Sequence, residues 1–364
     1  MKTVFFKFSV MAIAAGALFS CSEKNDEPDV PDTPGLNSTG AYILCAGTYD
    51  GNNASLDLYD IESSALTEDV FATVNGRALG SNANDMIIHN SKIYIAVNNS
   101  ATVEICDLAG KSLKTINLAD EAGTPENPRC LAAWGDNVYV TLYDGYVARI
   151  NANTMEIDGR VKVGNNPEGI CVSGDKLYVA NSGGYQPVPD NTLSVIDLPT
   201  FTATSTVEVT VNPNVLRTAA GGKIIVLSFG NFADIPNTLQ EVDTATGSVK
   251  VITQNSQIIP AVNGSKVFYY TARQENWVVT ESAFKSYDIV SGETETLALT
   301  AADGSALSNV YSLGVDPATD SLYVGTSDYN TTGEVYVFGA DGKLGGKLAV
   351  SGISPIAYAF FDEK

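Results

Sequence analysis

The chain of 364 residues has a single histidine, His89, and only 17% of its residues carry charge. One imidazole cannot build a multi-histidine metal centre, and it leaves one candidate base for a hydrolytic triad. His89 itself reads as a surface turn residue. Cations are the scarcer sign, 21 against 42 acidic residues, and a net charge of −21 repels phosphate backbones and speaks against a nucleic-acid grip. The five cysteines show no C-x-x-C spacing. Four of them (Cys45, Cys106, Cys130 and Cys171) sit inside apolar strand segments and are expected to be buried free thiols. No G-x-S-x-G and no phosphate-cradling glycine motif occurs. Asp50-Gly51-Asn52-Asn53 lacks the spaced carboxylates of an EF-hand and reads as a hairpin loop. What is plentiful is Gly (32), Tyr (17), Asn and Thr, the composition of a β-rich exported protein with many tight turns.

The first segment is an address. Lys2 and Lys7 precede an apolar stretch from Val10 to Phe19, which has signal-peptide length and is too short to span a bilayer. It ends Leu18-Phe19-Ser20-Cys21, a lipobox pattern, so residues 1–20 are expected to leave and Cys21 to be acylated. Residues 21–39 are acidic and rich in Pro and Asp, with nothing to bury; they read as a flexible tether. The expected location is the outer membrane, through the lipid anchor alone; the acidic tether resembles the export signal of surface lipoproteins and so implies a protein facing the cell exterior, the alternative being a periplasm-facing lipoprotein. No later segment has 18 consecutive apolar residues.

Residues 40–364 repeat one pattern. A β-branched and aromatic run recurs as Ala41-Tyr42-Ile43-Leu44, Ile93-Tyr94-Ile95-Ala96, Val138-Tyr139-Val140-Thr141 and Leu177-Tyr178-Val179-Ala180, and then as Ile224-Ile225-Val226-Leu227, Val267-Phe268-Tyr269-Tyr270 and Leu322-Tyr323-Val324-Gly325. All but the first follow a turn built from Gly, Asn, Asp or Ser. A further strand ending near Asp60, Asp107, Asp197, Asp243 or Asp288 comes next. Four strands in about 46 residues, without helical periodicity, make a propeller blade. The expected fold is therefore all-β, a seven-bladed β-propeller. The first copy lacks its first strand, and Pro355–Phe361 resembles the strands after Pro128, Pro167 and Pro260, so the C-terminal strand is expected to close blade one.

Within such a blade, second-to-third loops and blade-to-blade loops share a face. These loops are rich in aromatics and neutral amides, which offer rigid apolar area together with donors and acceptors that carry no charge-desolvation cost. The candidate ligand-binding residues are Tyr49, Asn98, Arg129, Tyr143, Tyr146, Asn181, Tyr185, Arg217, Phe229, Phe232, Trp277 and Tyr329. The combination suits a large, roughly neutral ligand decorated with amides or hydroxyls. No catalytic residue, metal ligand or cofactor is expected.

The run Tyr178-Val179-Ala180-Asn181 resembles the repeat of YVTN-type seven-bladed propellers, a group that includes the YncE-like proteins. A tighter resemblance covers almost the whole propeller. Asn75-Gly76-Arg77-Ala78-Leu79-Gly80, Asn84-Asp85-Met86, Val97-Asn98-Asn99-Ser100, Asp328–Tyr336 and Gly352-Ile353-Ser354-Pro355 are similar to the BtuG-type surface lipoproteins. That resemblance implies a non-enzymatic protein that captures cobalamin, or another corrinoid, as cargo and hands it to a TonB-dependent outer-membrane transporter. The residues themselves leave open a glycan-binding or protein-docking propeller, in which the same aromatics stack on sugars or bury against a partner.

Overall fold

The structure is a computed structural model that describes residues 39–184, 186, 188–275 and 278–362. The signal segment, Cys21 and the tether up to Ser38 lie outside the described residues, as do Tyr185 and Trp277.

The described chain forms seven four-stranded antiparallel sheets. Blade 1 contains β1 (Gly40–Cys45), β2 (Ser55–Asp60) and β3 (Ala65–Thr67), and a short helix α1 (Val70–Asn75) leads onward. Blade 2 is β4 (Ala83–His89), β5 (Lys92–Val97), β6 (Thr102–Asp107) and β7 (Ser112–Asn117). Blade 3 is β8 (Pro128–Trp134), β9 (Asn137–Leu142), β10 (Tyr146–Asn151) and β11 (Glu156–Lys162). Blade 4 is β12 (Pro167–Ser173), β13 (Lys176–Asn181), β14 (Thr192–Asp197) and β15 (Thr202–Glu208). Blade 5 is β16 (Pro213–Ala219), β17 (Lys223–Ser228), β18 (Asn237–Asp243) and β19 (Val249–Asn255). Blade 6 is β20 (Gln257–Asn263), β21 (Lys266–Glu275), β22 (Val278–Asp288) and β23 (Thr294–Leu297). Blade 7 is β24 (Val310–Val315), β25 (Leu322–Thr326), β26 (Glu334–Phe338) and β27 (Leu344–Ala349), and β28 (Pro355–Phe361) returns to blade 1.

Closure by β28 is as expected. It pairs antiparallel with β1, from Gly40↔Phe361 to Cys45↔Pro355. The Phe361 ring stacks on Tyr42 with centroids 5.0 Å apart, over Gly40, where a Cβ would lie 2.4 Å from the ring. Each first strand neighbours the first strand of the next blade, and β28 neighbours both β24 and β4, which completes the ring. Each blade keeps only short edges, at its inner and its outer strand.

The burial patterns follow from this packing. Second strands are sandwiched between neighbouring blades on both faces, and β1 is buried at all its positions. Their repeated tyrosines, Tyr42, Tyr94, Tyr139, Tyr178 and Tyr323, are among the largest fully buried side chains. Outer strands face water on one side, so β11 alternates between exposed and half-buried. The first-to-second turns carry the positive φ that tight hairpins require, at Asn90 and Ser91 in blade 2 and at Gly135 in blade 3. His89 ends β4 beside one of these turns, with Nε2 2.8 Å from the Gly135 carbonyl. Cys45, Cys106 and Cys171 are buried free thiols, and Cys130 is free and half-buried.

Candidate functional site

Entry to the inner strands follows one local code. Asn82, Asn166, Asn212, Asn309 and, in blade 1, Ser354 stand just before an inner strand in the left-handed region, with φ between 49 and 60°. Asn visits this region more readily than bulkier side chains do. Pro follows at 167, 213 and 355 and fixes the next φ. The carbonyl of each of these residues accepts the amide of the residue just after the blade's second strand, as in Asn98→Asn82 at 3.0 Å and Phe229→Asn212 at 2.8 Å.

Just past this entry the pairing slips. A bulge separates first and second strands in six of the seven blades, whereas β20 and β21 of blade 6 pair without interruption. The bulges fall at Asn84, Arg129-Cys130, Glu168-Gly169, Asn214, Tyr311 and Ile356. Bulges re-aim side chains at rims, and here they tie the blades to one another around the channel mouth. Asn84 Nδ2 donates to the Arg129 carbonyl at 2.6 Å. Arg129 Nε donates to Glu168 Oε2 at 2.7 Å, with its guanidinium 5.6 Å from the Tyr143 ring centroid. Gly169 lies so close to blade 5 that a Cβ would meet the Asn214 carbonyl at 2.5 Å.

The electrostatics follow from this burial. Burial pushes the Glu168 carboxyl upward against the pull of Arg129. Burial likewise works against the Arg129 charge, and Glu168 more than restores it. The Tyr311 hydroxyl is pushed up to about 12 by burial and by Tyr329, whose ring meets it edge-on at 5.5 Å.

The expected ligand-binding residues separate into three groups. Tyr49, Phe232 and Tyr329 stand on the loop face 65%, 68% and 66% exposed. Phe232 and Tyr329 hold φ of 57° and 64°, an uncommon conformation for bulky residues and one that clusters at functional sites. Arg129 and Tyr143 meet at the channel mouth, and Arg217 lines the channel itself; both arginines lie inside inner strands rather than in loops. The remaining four described residues are engaged within the fold. Asn98 Nδ2 donates to the Pro128 carbonyl at 3.0 Å. Asn181 accepts from Gly164 N and donates to Thr192 Oγ1 and Ser194 Oγ. Tyr146 packs on the core between blades 2 and 3, and Phe229 on the core between blades 5 and 6.

Two features were not anticipated from the sequence. Asp85, one residue past the Asn84 bulge, lines the channel. On the loop side of blade 3, Glu126 is buried and paired with Arg160. Asp144 stands beside that pair, its carboxyl pushed up to about 6 by burial and by the Glu126 charge. Among the described residues no group of three or more His, Cys, Asp or Glu is placed to hold a metal ion.

A family model described as a domain of unknown function (DUF5074) matches residues 39–352. No curated protein matches the sequence. Among solved structures, Kuenenia stuttgartiensis hydrazine synthase is similar at 18% identity and a TM-score of 0.58, over 71% of this chain and 77% of that one. U3-55K is similar at 12% identity and a TM-score of 0.57, over 75% of this chain and 84% of that one. The computationally designed Ika8 protein is similar at 15% identity and a TM-score of 0.54, over 88% and 91%. At these identities the likeness is one of fold alone.

Proposed function

The chain belongs to the DUF5074 family, and from that premise we propose that it is a non-enzymatic capture protein whose loop face takes cobalamin or a related corrinoid. In this reading the protein is held at the outer face of the outer membrane by acylation at Cys21 and passes its cargo to a TonB-dependent transporter. The observation that carries the reading is the exposed aromatic set on one face, Tyr49, Phe232 and Tyr329, two of them in strained backbone, around a mouth lined by amide and guanidinium groups. A corrin offers an apolar macrocycle for such rings and a fringe of amides for such donors and acceptors.

The direct test is calorimetric titration of residues 22–364 with cyanocobalamin. Binding heat and co-elution at micromolar concentrations are expected; their absence rejects the corrinoid. Phe232→Ala with Tyr329→Ala should weaken binding at least tenfold, and unchanged affinity would move the site elsewhere. A protein-docking role has one specific observation in its favour, the exposed Val278 and Val279 on the arm of blade 6. A propeller that docks a protein and binds no corrinoid would leave the titration flat.

A further inference from the structure

The axis of the ring encloses a cavity of about 500 Å³ walled by all seven inner strands. Its wall is of mixed polarity, with Ile87, Ala132, Ile170, Leu313 and Ile356 among the lining residues, and it contains two charged groups of opposite sign, Asp85 and Arg217.

Arg217 is an exception in this chain. Five of the six arginines form an ion pair with a carboxylate: Arg77, Arg129, Arg149, Arg160 and Arg273. Arg217 makes none among the described residues, although acidic residues outnumber basic ones two to one in the sequence. Its guanidinium donates from Nη1 to the carbonyl of the adjacent Leu216 at 2.9 Å, and no other hydrogen bond is formed from it among the described residues. A guanidinium carries five donors. Asp85 accepts one backbone amide on each oxygen, Met86 N at 2.9 Å and Leu131 N at 2.8 Å, and each oxygen keeps a further lone pair. Burial raises the Asp85 carboxyl pKa and the charge of Arg217 opposes that rise, so the two groups sense each other without touching.

We propose that the channel is a second binding site, for a small group of no net charge that presents an oxygen to Arg217 and an N–H to Asp85 on a compact apolar body. A primary carboxamide and the zwitterionic head of an apolar amino acid share this chemistry. A lone anion meets the repulsion of Asp85, and a lone cation meets that of Arg217; a group carrying both an acceptor and a donor meets neither. This inference does not depend on the corrinoid reading of the loop face, which concerns a ligand too large for the channel.

The test uses four probes that share an isopropyl body on the folded protein: isobutyramide, L-valine, isobutyrate and isopropylamine. Saturation-transfer NMR reads binding, and methyl shifts of Ile170 and Ile356 read its place. At least one of the two neutral probes should bind, at least tenfold tighter than isobutyrate and isopropylamine, with shifts at those methyls. The amide binding alone assigns a carboxamide, and valine binding alone assigns an amino acid. Arg217→Met should weaken the bound probe at least tenfold, the scale of a hydrogen bond to a charged group. The proposal fails if neither neutral probe binds, if either charged probe binds as well as the neutral ones, or if Arg217→Met binds unchanged. The comparison among probes on the unaltered protein decides the matter even if the variant does not fold.

Discussion

Blades 3 and 4 meet the loop face through buried, mutually bonded side chains, whereas blade 6 meets it with a two-stranded arm standing clear of its own sheet. At the mouth, Arg129 of blade 3 holds Glu168 of blade 4, Asn84 of blade 2 reaches Arg129, and Gly169 lets blade 5 approach. Blade 6 has no bulge there. Its arm continues past the last partner of β20, Ala272, and past Phe284, where β23 stops. The difference separates two uses of one repeat, since a bulge between first and second strands makes a cross-blade fastener, whereas the blade without one extends its second and third strands into a projection. Substitutions on the two sides should therefore differ in stability far more than the similar residue types suggest.

The largest effect is expected at Glu168. Replacing it with Ala leaves the half-buried Arg129 guanidinium beside Tyr143 without its carboxylate, which should cost about 3 kcal/mol in chemical denaturation. The matching pair on the arm, Arg273 and Glu275, lies 2.9 Å apart with both side chains more than half exposed. Glu275→Ala should move stability by no more than about 0.5 kcal/mol. Equal losses at the two sites would erase the distinction.

Gly169→Ala comes next. The added Cβ meets backbone atoms, the Asn214 carbonyl at 2.5 Å and Leu216 N at 2.7 Å, so relief needs blades 4 and 5 to move apart. A loss of about 1–3 kcal/mol is expected from such overpacking. A loss below about 0.5 kcal/mol would show that the blades move apart freely.

A smaller effect should follow pH. The Asp144 carboxyl sits at about 6 in the folded chain against 3.8 when free, so the folded state holds the proton more tightly. Its stabilising share is full below 3.8 and is lost as pH rises through about 6. Asp144→Asn removes that proton, so the variant should gain on the wild type between about pH 4 and pH 6 and hold a constant lead above. Urea midpoints across that range test it; parallel curves would show that neither burial nor Glu126 raises the Asp144 carboxyl.

The ring was readable before its side chains were. The spaced tyrosine runs and the C-terminal strand resembling those after Pro128 and Pro167 convey blade count and closure, because repetition survives in the residue order itself. A bulge does not, since it is a mismatch between two strands and neither strand alone carries it. Arg217 therefore looked like a loop residue and proved to be a channel residue. Asn181 looked like a ligand contact, and its amide is taken by Gly164, Thr192 and Ser194. The helix α1 is not legible in its composition either, because Val70-Phe71-Ala72-Thr73-Val74-Asn75 is rich in β-branched residues. What makes it a helix is its ends: Asp69 accepts the Ala72 amide at 3.1 Å, and Gly76 closes it in the left-handed region.

The smallest stability effect belongs to the arm itself, and it is the one that separates a projection from a fastener most directly. Val278 and Val279 are exposed, and β22 from Val278 to Ala283 pairs on one side only, with β21. Changing both valines to Thr removes apolar surface that the fold does not bury, so global stability should stay within about 0.5 kcal/mol. Amides along an unpaired edge open locally, without unfolding the ring. Hydrogen exchange should therefore be fast in the stretch from Val279 to Ala283 and slow at Tyr269 and Tyr270, which are buried in the same blade. If the arm's amides were as protected as those of Tyr269, the arm would be part of the cooperative core, and its length could no longer be explained as a surface held out for contact.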